Sequence, residues 1–425
     1  MASSKLPRVV VVNDHVVPDG GADMVALRSA QGLASAGVEV TLFAADRVPQ
    51  APPAGVRLVC TGQVDAIAHP GRVSAALQGV WNFTAARELR RLLAGFDPGN
   101  TVVHLHSWTK SLSGSAAHAA LAGGFPVVLT LHDYFSACPN GALFDFPRNR
   151  SCMRTPLSWD CVSTHCDSRS RAFKAYRVVR HLAQQNLGGL PGRIGHFIVV
   201  SRFSHALLAP FLPAHARCHL VRNPIDLTHQ PATDVGANKR FVMVARMLAP
   251  KGQEIFLEAC ERAQIEAVCI GDGPQLSAWR ERFPRAVFPG TLSRAEVSDA
   301  MRQARALVMP SLWYETQGLV VDEAAALGVP TIVATTCAGS ESVVDGVTGL
   351  HVPGGDVAAL AAALRRLADN PAEAAQMGQA AHRRFWADPP SLDNHARRLL
   401  EVYDAMLHSD RSMTAKRPVL PEARG

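Results

Sequence analysis

Short apolar runs that end in polar residues alternate with helical patterns along almost the whole chain, and that alternation leaves few folds open. "RVVVV" at residues 8–12 is followed by a loop, then by "ADMVALRSAQGLASAG" with helical periodicity and Gly37 as its stop, then by "VEVTLFA". "TVVHLHS", "FPVVLTLHD", "GHFIVVS" and "RCHLVRN" continue the series. Val- and Leu-rich runs without polar alternation predict strands buried on both faces of a parallel sheet. Residues 227–238, "LTHQPATDVGAN", are polar and aperiodic and read as a linker; the pattern then restarts with "RFVMVARM", "IEAVCIGDG", "RAVFPGTL" and "RALVMPS". A chain of 425 residues is long for one domain. Two doubly wound α/β domains are therefore expected, over residues 1–228 and 229–390. A long amphipathic helix follows at 391–408, and residues 409–425 read as a disordered tail.

Net charge is +7 and the pI is near 9.1. Such a balance suits nucleic acid, an anionic membrane surface or an anionic substrate. Aromatic residues are few and do not interleave with the basic ones, which argues against a nucleic-acid surface. The first apolar run is too short for a signal peptide and is cut by Asn13 and Asp14; no run reaches transmembrane length. These features predict a cytoplasmic protein. Nine cysteines in a chain of this size read as thiols rather than a disulfide framework.

The chemistry concentrates in "SLWYETQGLVVDEAAALGVPTIV", residues 311–333. It reads as the loop, helix and strand that follow the strand "RALVMPS", with Gly328 ending the helix. Glu323 falls within the apolar arc of that helix, where a carboxylate needs a polar partner. Glu315 lies in the loop, and the backbone N–H groups at Gly318 and Leu319 open the helix as an anion site. A phosphate cradle between two carboxylates suits a nucleotide sugar. Read alone, the stretch also fits one glutamate on the helix dipole and another reaching solvent.

Other strand-end loops add candidates. "ARMLAPKG" carries Arg246 and Lys251, two cations able to neutralise a departing diphosphate. "IGDGPQ" offers Gly271 and Gly273, and "FPGTL" offers Phe288, Gly290 and Leu292 as a wall for a nucleobase. In the first domain, Gly20 and Gly21 stand between strand and helix, either near a phosphate or as a tight turn. "LTLHDY" sets His132 and Asp133 at a strand end.

In this order and spacing, "RMLAPKG", "IGDGP", "FPGTL", "MPSLWYETQGLVVDEAAALGVP" and "GSESVVDGVTGL", with "DGGAD", "TLHDY" and "VVSRFS" before them, resemble the retaining glycosyltransferases of family 4. The resemblance covers nearly the whole chain. It implies the GT-B architecture: two Rossmann-like domains facing across a cleft, with the last helix crossing back to the first. It implies a hexosyltransferase that uses a nucleoside-diphosphate sugar as donor and a sugar or lipid-linked sugar as acceptor, in cell-surface polysaccharide or glycolipid synthesis. It assigns Arg246 and Lys251 to the diphosphate, Glu315 to the donor sugar and Glu323 to the ribose. Gly318 and Leu319, with Thr316 and Gln317 beside them, would meet the phosphate; His132 would lie beside the transferred sugar, and Gly20 and Gly21 would approach the donor. It implies no cofactor or metal for catalysis. Gln317 departs from the pattern, since an aromatic residue often precedes the glycine. A nucleotide-sugar epimerase of the same architecture is the alternative.

Two further stretches stand out. Residues 168–185 place Arg169, Arg171, Lys174, Arg177, Arg180 and His181 beside Phe173, Tyr176 and Val179. This is either a helix for an anionic membrane face, making the protein peripheral on the inner leaflet, or an ordinary solvated face. Cys138, Cys152, Cys161 and Cys166 fall in a segment rich in Pro, Arg and Ser, with His165 beside them. They are candidate ligands of a structural zinc; unrelated buried thiols or a disulfide are the other readings.

Overall fold

A computed structural model describes residues 6–17, 20–46, 51–63 and 71–414. The first sheet is formed by β1 (Arg8–Val12), β2 (Glu39–Ala44), β3 (Val56–Cys60), β4 (Thr101–Leu105), β5 (Val127–Leu131), β8 (His196–Val199) and β9 (Arg217–Leu220), in the order β3-β2-β1-β4-β5-β8-β9. A two-stranded hairpin, β6 (Phe144–Asp145) and β7 (Arg150–Ser151), interrupts the series. The second sheet contains β10 (Arg240–Val244), β11 (Ala267–Ile270), β12 (Val287–Gly290), β13 (Ala304–Met309), β14 (Thr331–Ala334) and β15 (Gly349–Val352), in the order β12-β11-β10-β13-β14-β15. All pairings within these two sheets are parallel. Both sheets are doubly wound, as the alternation predicts, in the two-sheet arrangement that the GT-B resemblance implies.

The unbroken valines of β1 are explained by the layers they join. Val9 and Val11 pack with Ala26, Ala30 and Leu33 of the following helix and with Leu399 and Tyr403 of the last helix. Val10 and Val12 face the opposite layer, with Leu89, Leu93 and Ala116. Each such fully buried side chain contributes about 1.5–3 kcal/mol.

The last helix, Leu392–Thr414, lies against the helix Gly21–Ser35 of the first domain. Contact there is close: a Cβ on Gly32 would stand 3.0 Å from Leu392 Cδ1. His395 bonds Ser29 at 2.8 Å, and Tyr403 bonds His104 at 2.7 Å. The helix runs six residues into the expected tail; residues 415–425 of that tail lie outside the described residues.

Candidate functional site

In open α/β sheets, ligands sit where strand order reverses, beyond the carboxyl ends of the strands. In the second sheet that point lies between β10 and β13. A pocket of about 170 Å³ opens there, lined by Val244 and Ala245 at the end of β10, by Met309 and Ser311 around the end of β13, and by Lys251, Glu315, Gln317, Gly318 and Leu319. Lys251 Nζ is 2.6 Å from Glu315 Oε1, and Ser311 Oγ donates to the same oxygen at 3.0 Å. The Lys251 ammonium also stands 5.0 Å from the centre of the Trp313 ring. Above this pair the helix Leu319–Ala326 begins at Gly318, with no side chain capping its first N–H groups. A pocket with a cation, a carboxylate and an uncapped helix start has what is needed to hold a phosphate ester joined to a hydroxylated group.

The loop is drawn against the first domain. Thr316 Oγ1 donates to the His132 carbonyl at 2.9 Å, and Ser201 Oγ donates to the Thr316 carbonyl at 2.6 Å. The Asn223 N–H reaches Gln317 Oε1 at 3.0 Å, and Gln317 Nε2 donates to Asp322 at 3.4 Å. An aromatic ring at 317 would make none of these bonds.

Across the cleft, the switch point of the first sheet lies between β1 and β4. His132 Nε2 lies 2.9 Å from His106 Nδ1, whose ring lies tilted against His104 at 4.0 Å between centroids. Burial holds all three imidazoles below their ordinary range, His132 at about 3, so His132 is neutral at working pH. Asp14 accepts the N–H groups of Lys110, Ser111 and Leu112, yet burial outweighs those bonds and raises its pKa. Asp133 is pushed up to about 6 by burial, against the pull of the Phe135 N–H and Arg180. Carboxyls held that way at a cleft are hallmarks of functional sites.

The sign of the Asp133 shift gives a stability prediction. A folded-state pKa above the ordinary 3.8 means that the ionised carboxylate costs stability above about pH 6, a cost that fades as pH falls toward 4. Asp133→Asn is expected to add on the order of 2–3 kcal/mol at pH 8 and little at pH 3.5, compared by urea unfolding at the two pH values. An equal gain at both would show that the charge is not the cause.

Other expected site residues fall outside the pocket. The Arg246 side chain is exposed at the end of β10 with no hydrogen-bond or ion-pair partner among the described residues. Gly271 and Gly273 are explained by backbone packing: a Cβ would stand 2.1 Å from the Ala245 carbonyl oxygen and 2.4 Å from that of Met247. Phe288 is half-buried against the core and, with Gly290, lies on β12, two strands from β10; Leu292 follows in the next loop. Gly20 and Gly21 begin the first helix, facing open space, and Asp19 before them lies outside the described residues. Glu323 is on the helix beyond the pocket, 3.5 Å from Arg294; burial raises its pKa while Arg294 and Arg28 oppose the rise. Arg28, Arg294, Ser201, His106 and Asp14 were not anticipated. The strand ends "VVND" and "TVVHLHS" carry a local signal for Asp14 and His106; nothing local marks Arg28.

Two expectations meet a different arrangement. Among the described residues no group of three or more His, Cys, Asp or Glu stands where it could hold a metal ion, Cys138, Cys152, Cys161 and Cys166 included. Cations occupy the approaches instead, with the Lys174 ammonium 3.3 Å from Cys166 and 3.6 Å from Cys161, and Arg154 3.6 Å from Cys152. The segment is ordered by buried carboxylates, Asp145 with Arg148 and Arg154, and Asp167 with Arg177. The helix Arg171–Asn186 turns most of its cations inward, leaving Arg171 at its start and Arg169 before it exposed. Lys174 and His181 are buried, Arg177 bonds the Asn140 carbonyl, and Arg180 bonds the Thr109 carbonyl; Val179 and Leu182 are exposed.

Residues 19–229 match the family model "Glycosyltransferase Family 4", and residues 238–370 match "Glycosyl transferases group 1". The chain is 28% identical to a D-inositol 3-phosphate glycosyltransferase of Streptomyces avermitilis, over 95% of this chain and 89% of that one. It is 30% identical to a glycogen synthase of Mycobacterium tuberculosis over 50% of this chain, a match that spans 54% of that protein's length. A solved structure of Anabaena Alr3699/HepE in complex with UDP-glucose shares the fold, with a TM-score of 0.65, 16% identity, and coverage of 94% of this chain and 100% of that one.

Proposed function

We propose the reaction from one premise: the chain is a GT-B glycosyltransferase, with a family 4 first domain and a group 1 second domain. It transfers a hexosyl group from a nucleoside-diphosphate sugar to a sugar or lipid-linked sugar acceptor, in cell-surface polysaccharide or glycolipid synthesis, with the anomeric configuration retained. The observation that carries this reading is the Lys251–Glu315 pair at an uncapped helix start, tied through Thr316 to the His132 backbone. The solved HepE relative is in complex with UDP-glucose, which supports a donor of that chemical class here.

In this mechanism the diphosphate lies over the N–H groups of Gly318 and Leu319. Lys251, joined by Arg246, stabilises its charge as the glycosidic bond breaks. Glu315 turns from Lys251 to the donor hydroxyls, and Glu323 exchanges Arg294 for the ribose hydroxyls. His132, neutral, accepts or donates a hydrogen bond at the transferred sugar. No protein group is required to hold a metal in this scheme.

The protein acts in the cytoplasm, at the face of a membrane when the acceptor is lipid-linked; among the described residues no helix is long and apolar enough to cross one. Val73 and Leu77 on the helix Arg72–Val80, together with Val179 and Leu182, are exposed on two helices that pack together and support such an approach. Flotation with vesicles is expected to show binding with little dependence on anionic lipid, because Lys174, Arg177, Arg180 and His181 turn inward and only Arg169 and Arg171 stay exposed. Binding that requires anionic lipid, or none, would count against that surface.

The donor class is tested by thermal shift with UDP, GDP and ADP and their sugars. A ligand at 100 times its Kd adds about 2.7 kcal/mol. Product analysis by NMR should then show an α-linked product from an α-linked donor. Epimerised donor released without acceptor, or inversion, would overturn the assignment.

A further inference from the structure

One buried cation plays no part in the proposed reaction. Lys174 is 3% exposed, and its ammonium hydrogen-bonds, among the described residues, only to Cys166 Sγ and Cys161 Sγ. Taking an ammonium out of water costs several kcal/mol unless an anion meets it. The neighbouring carboxylates are committed elsewhere, Asp145 to Arg148 and Arg154 and Asp167 to Arg177. What remains for Lys174 is sulphur. Cys166 also receives Asn140 Nδ2 at 3.4 Å, so it is the better supplied of the two with donors for a thiolate. Because both sulphurs touch one nitrogen, at 3.3 and 3.6 Å, they stand within about 7 Å of each other. Burial lifts the Cys166 thiol although Lys174 opposes it, and Cys161 and Cys166 are both free cysteines.

We propose that Cys161, Cys166 and Lys174 form a redox-modification site, in which a peroxide joins the two cysteines as a disulfide. The Cys166 sulphur attacks one peroxide oxygen: an S–O bond forms, the O–O bond breaks, and hydroxide leaves as water with the proton that Cys166 carried. The Cys161 sulphur then attacks the Cys166 sulphur: the S–S bond forms, the S–O bond breaks, and a second water leaves with the Cys161 proton. Two thiols and one hydrogen peroxide give one disulfide and two waters; the two sulphurs together lose the two electrons that the peroxide gains. The Lys174 ammonium directs the first step to the sulphur it touches most closely.

The modification has a route to the donor pocket. Oxidation draws the two sulphurs together into a bond of about 2 Å, so they no longer flank the Lys174 ammonium as they do when reduced, and the buried charge loses contacts. The segment that carries the cysteines holds the donor loop: Trp313 Nε1 donates to the Ala142 carbonyl at 2.8 Å and Ser151 Oγ to the Leu312 carbonyl at 3.1 Å. Oxidation is therefore expected to loosen residues 138–166 and their grip on the Glu315 loop. Only this last consequence rests on the proposed transferase reaction.

The test uses the full reduced chain, treated with hydrogen peroxide, quenched with catalase, alkylated and mapped by peptide mass. A Cys161–Cys166 cross-linked peptide is expected, lighter by two hydrogens and reversed by dithiothreitol. Lys174→Gln is expected to slow its formation about tenfold. Trypsin is expected to cut within residues 148–171 faster after oxidation, a readout that stands whatever reaction the enzyme performs. Both cysteines remaining fully alkylatable, under conditions that cross-link the guanidine-unfolded chain, overturns the site. Metal analysis finding one zinc per chain with the thiols protected overturns it too. The wild-type mass map decides this even if the Lys174 variant does not fold.

Discussion

Lys251→Ala is expected to lower turnover at saturating donor by about 10²–10³, the range seen when one donor aimed at developing charge is removed. The geometry makes this the sharpest probe of the site. Lys251 lies within the pocket, 2.6 Å from Glu315, so the substitution removes a positive charge beside the proposed place of the diphosphate and frees a half-buried carboxylate at once. The unpaired carboxylate repels phosphate, so donor KM should rise as kcat falls. Arg246→Ala is expected to show a loss of the same order, although its guanidinium is exposed and has no partner among the described residues. Such a side chain can swing to the diphosphate without breaking an existing bond. Glu323→Ala should instead raise donor KM with a smaller effect on kcat, because ribose binding is common to ground and transition states. Steady-state kinetics of the three variants, each checked for an unchanged Tm, measure these differences. Near-normal turnover in both cation variants would remove the diphosphate assignment.

The layers of the fold were legible because burial on two faces writes itself locally. "RVVVV" has to be covered from both sides, and it is, by different helices. The loop and helix start at residues 311–319 were legible for a similar reason, since an uncapped helix start after a buried strand can be read from some twenty residues. The partners of its charges were not. Lys251 and Glu315 are 64 positions apart, and nothing near either names the other. Arg28 approaches Glu323 only because the two domains meet.

The basic helix shows the opposite failure. Residues 168–185 have six basic side chains, and helical spacing alone cannot say which of them point outward. Arg177 and Arg180 turn inward because Asn140 and Thr109 offer carbonyls there, and Lys174 because two sulphurs do. The glycines divide likewise. A short G-x-G after a strand reads as a ligand loop, but Gly271 and Gly273 are glycine because two backbone carbonyls crowd them. The cysteines were grouped correctly as neighbours, while the sign of the charge among them could not be read from spacing.

Gly318→Ala is expected to reduce turnover at least about 10²-fold while leaving the chain folded. Gly318 has φ −100°, so an alanine there suffers no backbone strain. The obstacle is spatial. Its Cβ would stand 2.6 Å from Gly339 Cα and 3.3 Å from Met309 Sδ, and Gly339 is hemmed in by the same Met309 and by Val321. Backbone cannot yield as a flexible side chain can, so the start of the helix Leu319–Ala326 must shift outward. That displaces the N–H groups proposed to hold the phosphate, and misplacement by about 1 Å is enough to cost two orders of magnitude. Gln317 moves with it, which weakens the bonds to Asn223 and Asp322 that fix the loop to both domains. The destabilisation should stay near 1–3 kcal/mol, as for other overpacked sites. Urea unfolding and donor titration on the same preparation separate the two effects. A variant that keeps both its donor affinity and its turnover would show that the helix start does not hold the donor.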